Sequence, residues 1–341
     1  MTKQDPQANR PPEAVVYQML DGFKVTQALY AASMLSIFDV LHDKPLTAPE
    51  LAAAVGAHAP SLLRLLRFLT SINILAEDDH QRFTATPLGD VLRSDHPRTM
   101  RPWAVMFGSP NFWRSWGDLL ETVATGEPAF NRIYGEGHFA YLSHNAADAA
   151  IFNAAMTRGT ASSLPPILDA YDFSGFKKIV DVAGGHGAML RGILERAPNA
   201  AGVLYEMPSV AAEAHQLRGS PVESRCEFIS GDMFQSVPAG GDLYIMKQII
   251  HDWNDEAAIQ ILKNVRQAIP SHGRLIVVDR IVKPSNQPDP AKSTDLMMLV
   301  MLTGRERTEA EFRDLYAAAG FNLTRTIPAG DFALIEGVPA G

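Results

Sequence analysis

The chain has 341 residues, 46% of them hydrophobic and 20% charged, which is long enough for two domains and apolar enough to bury a sizeable core. Its formal net charge of -8 works against general nucleic-acid binding, which relies on clustered lysine and arginine. A single cysteine, Cys226, excludes an intrachain disulfide and any cysteine-cluster metal site.

Residues 1–12 are polar and proline-rich, carry no apolar stretch of the kind a secretion signal needs, and read as a disordered tail. No apolar run reaches the roughly 20 residues that cross a bilayer, so a soluble cytoplasmic protein with no membrane partner is expected. A helical pattern then runs from residue 13 to about 41. Val16, Met19, Leu20, Phe23 and Leu29 make it apolar on more than one side, so it calls for burial by a partner as well as by its own domain. A compact unit follows over 46–95. Thr47-Ala48-Pro49-Glu50 fits a helix start, with a short helix to Val55 closed by Gly56 and a second helix over 62–71. Segments 74–76 and 82–85 can pair across Glu77-Asp78-Asp79-His80, and helix, turn, helix, hairpin is a winged-helix pattern. The second helix is mostly leucine around Arg64 and Arg67, and the hairpin tip is acidic, so dimerisation or a substrate lid is favoured over reading DNA.

From Trp103 to Ala170 the chain reads as mainly helical, and a domain boundary is placed between residues 104 and 105. Beyond Phe176 strand-like runs at 178–182, 202–205, 226–229, 242–246 and 274–278 alternate with helices near 187–196, 209–218, 255–269 and 308–319. That alternation argues for a largely parallel, doubly wound α/β sheet, with closing strands at 321–325 and 332–336.

The strongest local signal is the first of these strands running into Asp181-Val182-Ala183-Gly184-Gly185-His186-Gly187 and then a helix. Small residues there let backbone approach a ligand at the carboxyl end of the strand. Glu206 ends the next strand, where a carboxylate accepts hydrogen bonds from both ribose hydroxyls. The dinucleotide fingerprint fails, because the glycine series started at Gly185 reaches Gly187 and then Leu190. An acidic residue opening the loop suits a ligand with a cationic amino-acid end and no phosphates, such as S-adenosylmethionine. Asp232 and Met233 after the third strand suit an adenine amino group and an adenine face. Lys247 and the run to Glu256 follow the fourth strand, so all these stations fall where open α/β sheets bind ligands.

Taken together, DVAGGHG at 181–187, LYEMPSV at 204–210, GDMF at 231–234, KQIIHDWNDE at 247–256, VVDRIV at 277–282 and GRERTEAEF at 304–312 resemble the plant-type small-molecule O-methyltransferase family and its bacterial relatives. The resemblance implies a Rossmann-like S-adenosylmethionine methyltransferase domain behind an N-terminal helical, winged-helix-like dimerisation domain, and a homodimer. It implies cofactor contacts from Asp181, Ala183, Gly184, Gly185, Glu206, Asp232, Met233, Phe234, Lys247, Trp253 and Thr160. It makes His251 the catalytic base, sets Asp279 and Glu306 around it, and turns Phe152, Met156, Met297 and Met301 toward the acceptor. Ala183 replaces a usual glycine, and Asp279 a more usual glutamate.

The chemistry agrees with those residue types. A phenol of pKa about 10 is mostly protonated at neutral pH, and a histidine of ordinary pKa about 6.5 can remove its proton during attack on an activated methyl carbon. A carboxylate on the other ring nitrogen would fix the tautomer and steady the imidazolium, with Glu306 and Asp279 as candidates and Asp252 expected to point elsewhere. His186 is expected near the amino-acid end of the cofactor. No metal-ligand spacing is present, so a metal-independent reaction is expected. The methionine-rich helix over 297–302 serves either as core or as a flexible apolar wall for a flat ring. The alternatives are N-methylation of a heteroaromatic metabolite, non-methylation chemistry with the same cofactor, and a ligand-sensing regulator.

Overall fold

The computed structural model describes residues 10–284, 286 and 288–341. The tail expected over 1–12 therefore lies outside the described residues as far as residue 9. Contacts divide the chain into two compact units, one ending at Trp113 and the other beginning at Arg114.

The first unit opens with α1 (Pro12–Met34) and α2 (Ile37–Asp43), where one continuous helix was expected. Ser36 breaks it by adopting a left-handed conformation, φ 55°. α1 buries Ala28, Ala32 and Ser33, while Val16, Tyr17, Met19, Leu20 and Phe23 are each more than half exposed. After β1 (Leu46–Thr47), α3 (Ala48–Val55) starts with a capping box in which Thr47 and Glu50 satisfy each other's backbone N–H, and Gly56 closes it at φ 67°. α4 (Ala59–Ser71) buries Leu62, Leu66 and Leu69, one face at helical spacing. β2 (Leu75–Glu77) and β3 (Arg82–Ala85) form the expected hairpin with Leu75 opposite Ala85, and β1 joins the other side of β3. Phe38, Leu51, Leu66, Leu69 and Phe83 fill the core beneath them. α5 (Pro87–Asp90) leads to α6 (Arg101–Gly108), which packs along α1.

α7 (Pro110–Gly117) spans the division. Helices α8 (Leu119–Thr125), α9 (Ala129–Tyr134), α10 (His138–His144) and the long α11 (Ala146–Ala170) follow. The strands come next: β4 (Lys178–Val182), β5 (Ala201–Glu206), β6 (Cys226–Ser230), β7 (Leu243–Lys247), β8 (Arg274–Asp279), β9 (Phe321–Ala329) and β10 (Phe332–Pro339). Between and after them lie α12 (Ala188–Arg196), α13 (Pro208–Ala211), α14 (Asp255–Ala268), α15 (Pro290–Met301) and α16 (Glu309–Ala318). The helix expected over 209–218 is a single turn, α13, followed by irregular backbone.

The described strands of this unit form one sheet in the order β6-β5-β4-β7-β8-β10-β9. β4 to β8 run parallel, and β10 lies antiparallel to both β8 and β9. Strands β4, β5, β7 and β8 are mostly buried, which is why they read as apolar runs, whereas the edge strand β6 is only partly covered. Val180, Val203, Tyr244 and Val277 face α14 and α16, whereas Ile179, Leu204, Ile245 and Val278 face α12 and the end of α11. Strand order reverses between β4 and β7, which opens the crevice at their carboxyl ends where such sheets take ligands.

Candidate active site

Asp181, Glu206, Lys247 and Asp279 stand at or beside the carboxyl ends of β4, β5, β7 and β8. The loop after β4 turns sharply: Ala183, Gly185 and Gly187 all have positive φ, 55°, 59° and 84°. Alanine seldom adopts that conformation, so the position marked as a glycine replacement is a strained one. Gly184 lies so close to the strand end that a Cβ there would meet Asp181 Oδ2 at 2.5 Å. Asp181 is buried, and its Oδ2 has no hydrogen-bond partner among the described residues. Burial and the nearby Glu206 push its carboxyl up to about 7, against the opposing Leu190 N–H and Lys247. Glu206 accepts from the Gly185 N–H at 2.9 Å and the Met207 N–H at 2.7 Å, and burial raises its pKa.

After β6, Asp232 is exposed and folds its own turn by accepting from the Phe234 N–H at 2.9 Å. Met233 packs partly buried against the core, with its carbonyl accepting from Asn264 at 2.8 Å. The Phe234 ring meets Trp253 edge-on at 4.7 Å, and the Trp253 indole N–H is buried without a partner among the described residues. Lys247 Nζ donates to Gln248 Oε1 at 2.6 Å and to Thr160 Oγ1 of α11 at 3.4 Å, and it lies over the Phe332 ring. Burial lowers its pKa to about 8 despite Asp279.

His251 sits in a 3-10 turn, Ile250–Asp252, between β7 and α14, with Gln248 at φ 55° leading in and Asn254 capping α14. The ring is buried. Its Nδ1 lies 2.8 Å from Glu306 Oε1, the distance at which the ring N–H donates to the carboxylate. Asp252 does not point elsewhere: its Oδ1 is 3.3 Å from His251 Nε2. The two residues are neighbours in the turn, and their side chains meet at its buried side. Asp279 is buried and both its carboxylate oxygens are unpaired among the described residues. Burial pulls the imidazole down, but Asp252, Asp279 and Glu306 push it up to about 9. Burial likewise raises Asp252 and Asp279 to about 7 against the attraction of His251.

Of the residues assigned to the acceptor, Phe152 and Met156 lie half-buried on α11, and Met297 half-buried and Met301 buried on α15. Phe152 is in ring contact with two residues that the sequence did not single out, His138 at 5.2 Å and Phe139 at 6.0 Å. Phe139 in turn reaches Trp253 at 5.6 Å. His138 is buried among Phe130, Phe139 and Phe152, and burial lowers its pKa to about 4 against the pull of Asp148. No spacing rule marks an isolated histidine of this kind. His186, within the glycine loop, is buried; its Nδ1 meets Thr157 at 2.9 Å and its ring lies against His215.

The unpaired Asp181 oxygen, the Glu206 carboxylate, the exposed Asp232 and the unpaired Trp253 N–H form a set rich in acidic acceptors, with Lys247 and Arg280 together over the Phe332 ring at its side. It fits a cationic nucleoside without phosphates, and S-adenosylmethionine is such a molecule. This is the arrangement of a doubly wound transferase that takes its cofactor at the switch point of the sheet. The chain belongs to the O-methyltransferase domain family, which matches residues 116–322, and an O-methyltransferase dimerisation domain matches residues 17–95. It is therefore an enzyme of a family that uses S-adenosylmethionine. It is 41% identical to phenazine O-methyltransferase of Lysobacter antibioticus over 99% of this chain and 100% of that protein. It is 37% identical to 8-amino-8-demethylriboflavin N,N-dimethyltransferase of Streptomyces davaonensis over 94% of each. A neocarzinostatin-biosynthesis O-methyltransferase solved with S-adenosylmethionine and 2-hydroxy-5-methyl naphthoic acid is similar, with TM-score 0.82 and 28% identity over 92% of this chain and 96% of that one. No described helix is long and apolar enough to cross a membrane.

Proposed function

We propose that this enzyme methylates a hydroxyl of a small, flat aromatic metabolite, with His251 as general base, and that it acts as a homodimer. The carrying observation is the buried imidazole bonded through Nδ1 to Glu306. When bound, S-adenosylmethionine supplies a methyl carbon already activated toward in-line displacement. Asp181, Glu206, Asp232 and Lys247 would hold it, with Met233, Phe234 and Trp253 against its adenine. In the neutral ring Glu306 keeps the proton on Nδ1, and Nε2, which faces Asp252 Oδ1 at 3.3 Å, takes the proton from the acceptor hydroxyl. Asp252 and Asp279 stabilise the imidazolium that forms. A conjugate acid held near 9 is closely matched to a phenol of pKa about 10, so proton transfer between them is nearly thermoneutral. The aromatic relatives and the ring cluster of Phe139, Phe152 and Trp253 support a flat acceptor.

Purified His251→Ala is expected to bind S-adenosylhomocysteine as the parent does by calorimetry, yet to transfer methyl to phenolic acceptors about 10²–10⁴-fold more slowly. The parent rate should rise with pH as the imidazolium loses its proton, half-maximal at about 9 and levelling off above it. Unchanged turnover of a phenol by the variant removes the base assignment. The N,N-dimethyltransferase relative favours a second reading, methylation of a ring amine. That acceptor needs less help from a base, so an amine methylated equally well by parent and variant decides for it.

A further inference from the structure

We propose that Arg307 is a positioning residue for the reaction, holding the His251 turn in place through its backbone. The inference rests on the reading of His251 as base. Arg307 is the largest fully buried side chain among the described residues. A buried guanidinium is costly unless its N–H groups are paired. Here they pair with the His251 turn: Nη1 donates to the Ile250 carbonyl at 2.9 Å, and Nη2 to the Trp253 carbonyl at 2.8 Å. Nε and Nη2 also reach Asp255 Oδ1 at 3.0 and 2.8 Å. The two carbonyls bracket His251 on either side. Ile250 opens the 3-10 turn and Trp253 follows it in extended conformation; the turn's own bond, from the Trp253 N–H to the Ile250 carbonyl, is long at 3.4 Å, so the arginine adds what so short a turn lacks.

The segment 304–307 touches this turn at three heights. Gly304 lies against the His251 carbonyl so closely that any Cβ would overlap it. Glu306 binds the ring, and Arg307 binds the backbone on both sides of it. The segment is itself anchored. The Val282 N–H donates to the Arg307 carbonyl at 3.0 Å, Thr308 caps α16, and Arg305 ties Asp255 to Glu311. Glu306 thus sets the rotation of the imidazole, and Arg307 sets where its Cα stands. Lysine carries the same charge but is a point donor that cannot bridge two carbonyls and a carboxylate in one plane.

The test is Arg307→Lys, with Asp255→Asn as a milder second variant that keeps the guanidinium and weakens its anchor. Both are assayed with a phenol that is protonated at the assay pH and with a nitrophenol that is already ionised there. A displacement of about 1 Å costs on the order of 10²-fold in rate. Arg307→Lys is therefore expected to lower kcat about 10²-fold on the protonated phenol and only a few-fold on the ionised one, with S-adenosylhomocysteine affinity unchanged. Asp255→Asn should show the same split in smaller measure. Equal losses on both phenols, or no loss in either variant, overturn the proposal. If Arg307→Lys does not fold, the split in Asp255→Asn decides. His251→Ala separates the two claims: if that variant turns over the protonated phenol normally, the base assignment fails. If His251→Ala is slow while both positioning variants match the parent, only the role of Arg307 fails.

Discussion

Ala183 holds a conformation that costs a non-glycine residue about 1–2 kcal/mol, at the point where the glycine loop leaves β4. Glycine there would relieve that cost but would add roughly 0.4–1 kcal/mol of unfolded-chain freedom. Ala183→Gly is therefore expected to be neutral or to stabilise by up to about 1.5 kcal/mol, read from urea midpoints. The neighbouring position behaves in the opposite way. Gly184→Ala puts a methyl group 2.5 Å from the buried Asp181 carboxylate, which has to move. Binding of S-adenosylhomocysteine is expected to weaken on the order of tenfold, about 1.4 kcal/mol. An unchanged Kd would separate Asp181 from the cofactor site. At this scale the sequence was most informative where chemistry and spacing coincide: His251 and Glu306 are 55 positions apart in the chain, yet 2.8 Å apart in space. It failed where geometry alone decides. Asp252 was turned the wrong way because adjacency in sequence says nothing about a 3-10 turn, and Arg307 lay inside a quoted motif without its burial being visible.

Outside the active site, α10 carries an electrostatic consequence for stability. Its His138 is buried among rings and resists protonation until about pH 4, whereas the unfolded chain protonates it near 6.5. Between those values the unfolded state binds the extra proton, so stability is complete above pH 6.5 and is lost as pH falls toward 4. The full loss is on the order of 3 kcal/mol. His138→Leu should remove that part of the acid sensitivity, seen as a stability gap between parent and variant that widens from pH 7 to pH 4.5. A gap that does not change with pH would mean that the imidazole is not shielded. Among the elements, the central parallel strands were legible because burial on both faces leaves continuous apolar runs, and α3 because Thr47–Glu50 is a capping box; a second box, Thr308–Glu311, starts α16. The break at Ser36 was not, since neither glycine nor proline marks it. Nor was the shortness of α13, where apolar spacing continues after the helix has ended.

For the whole molecule, the apolar face of α1 is the feature that most needs company. Met19, Leu20 and Phe23 are 72%, 70% and 54% exposed, and the face falls in the stretch matched by a dimerisation domain. Replacing Met19 and Phe23 together by lysine is expected to shift the protein from dimer to monomer in sedimentation equilibrium. An unchanged dimer would place the interface elsewhere. The sheet has a consequence of a different kind. Glu206, Asp181, Lys247 and Asp279 stand at or beside the ends of successive strands, so acid, acid, base and acid follow one another across roughly 14 Å of sheet, with Asp181 set back two residues from the level of Glu206 and Lys247. Burial raises the pKa of Glu206, Asp181 and Asp279 and lowers that of Lys247, so each of the four gives up its charge more readily than it would in water. A positively charged guest would favour the ionised acids, and a neutral one would not. Such a ledge would tell visitors apart by charge without any strand having to move.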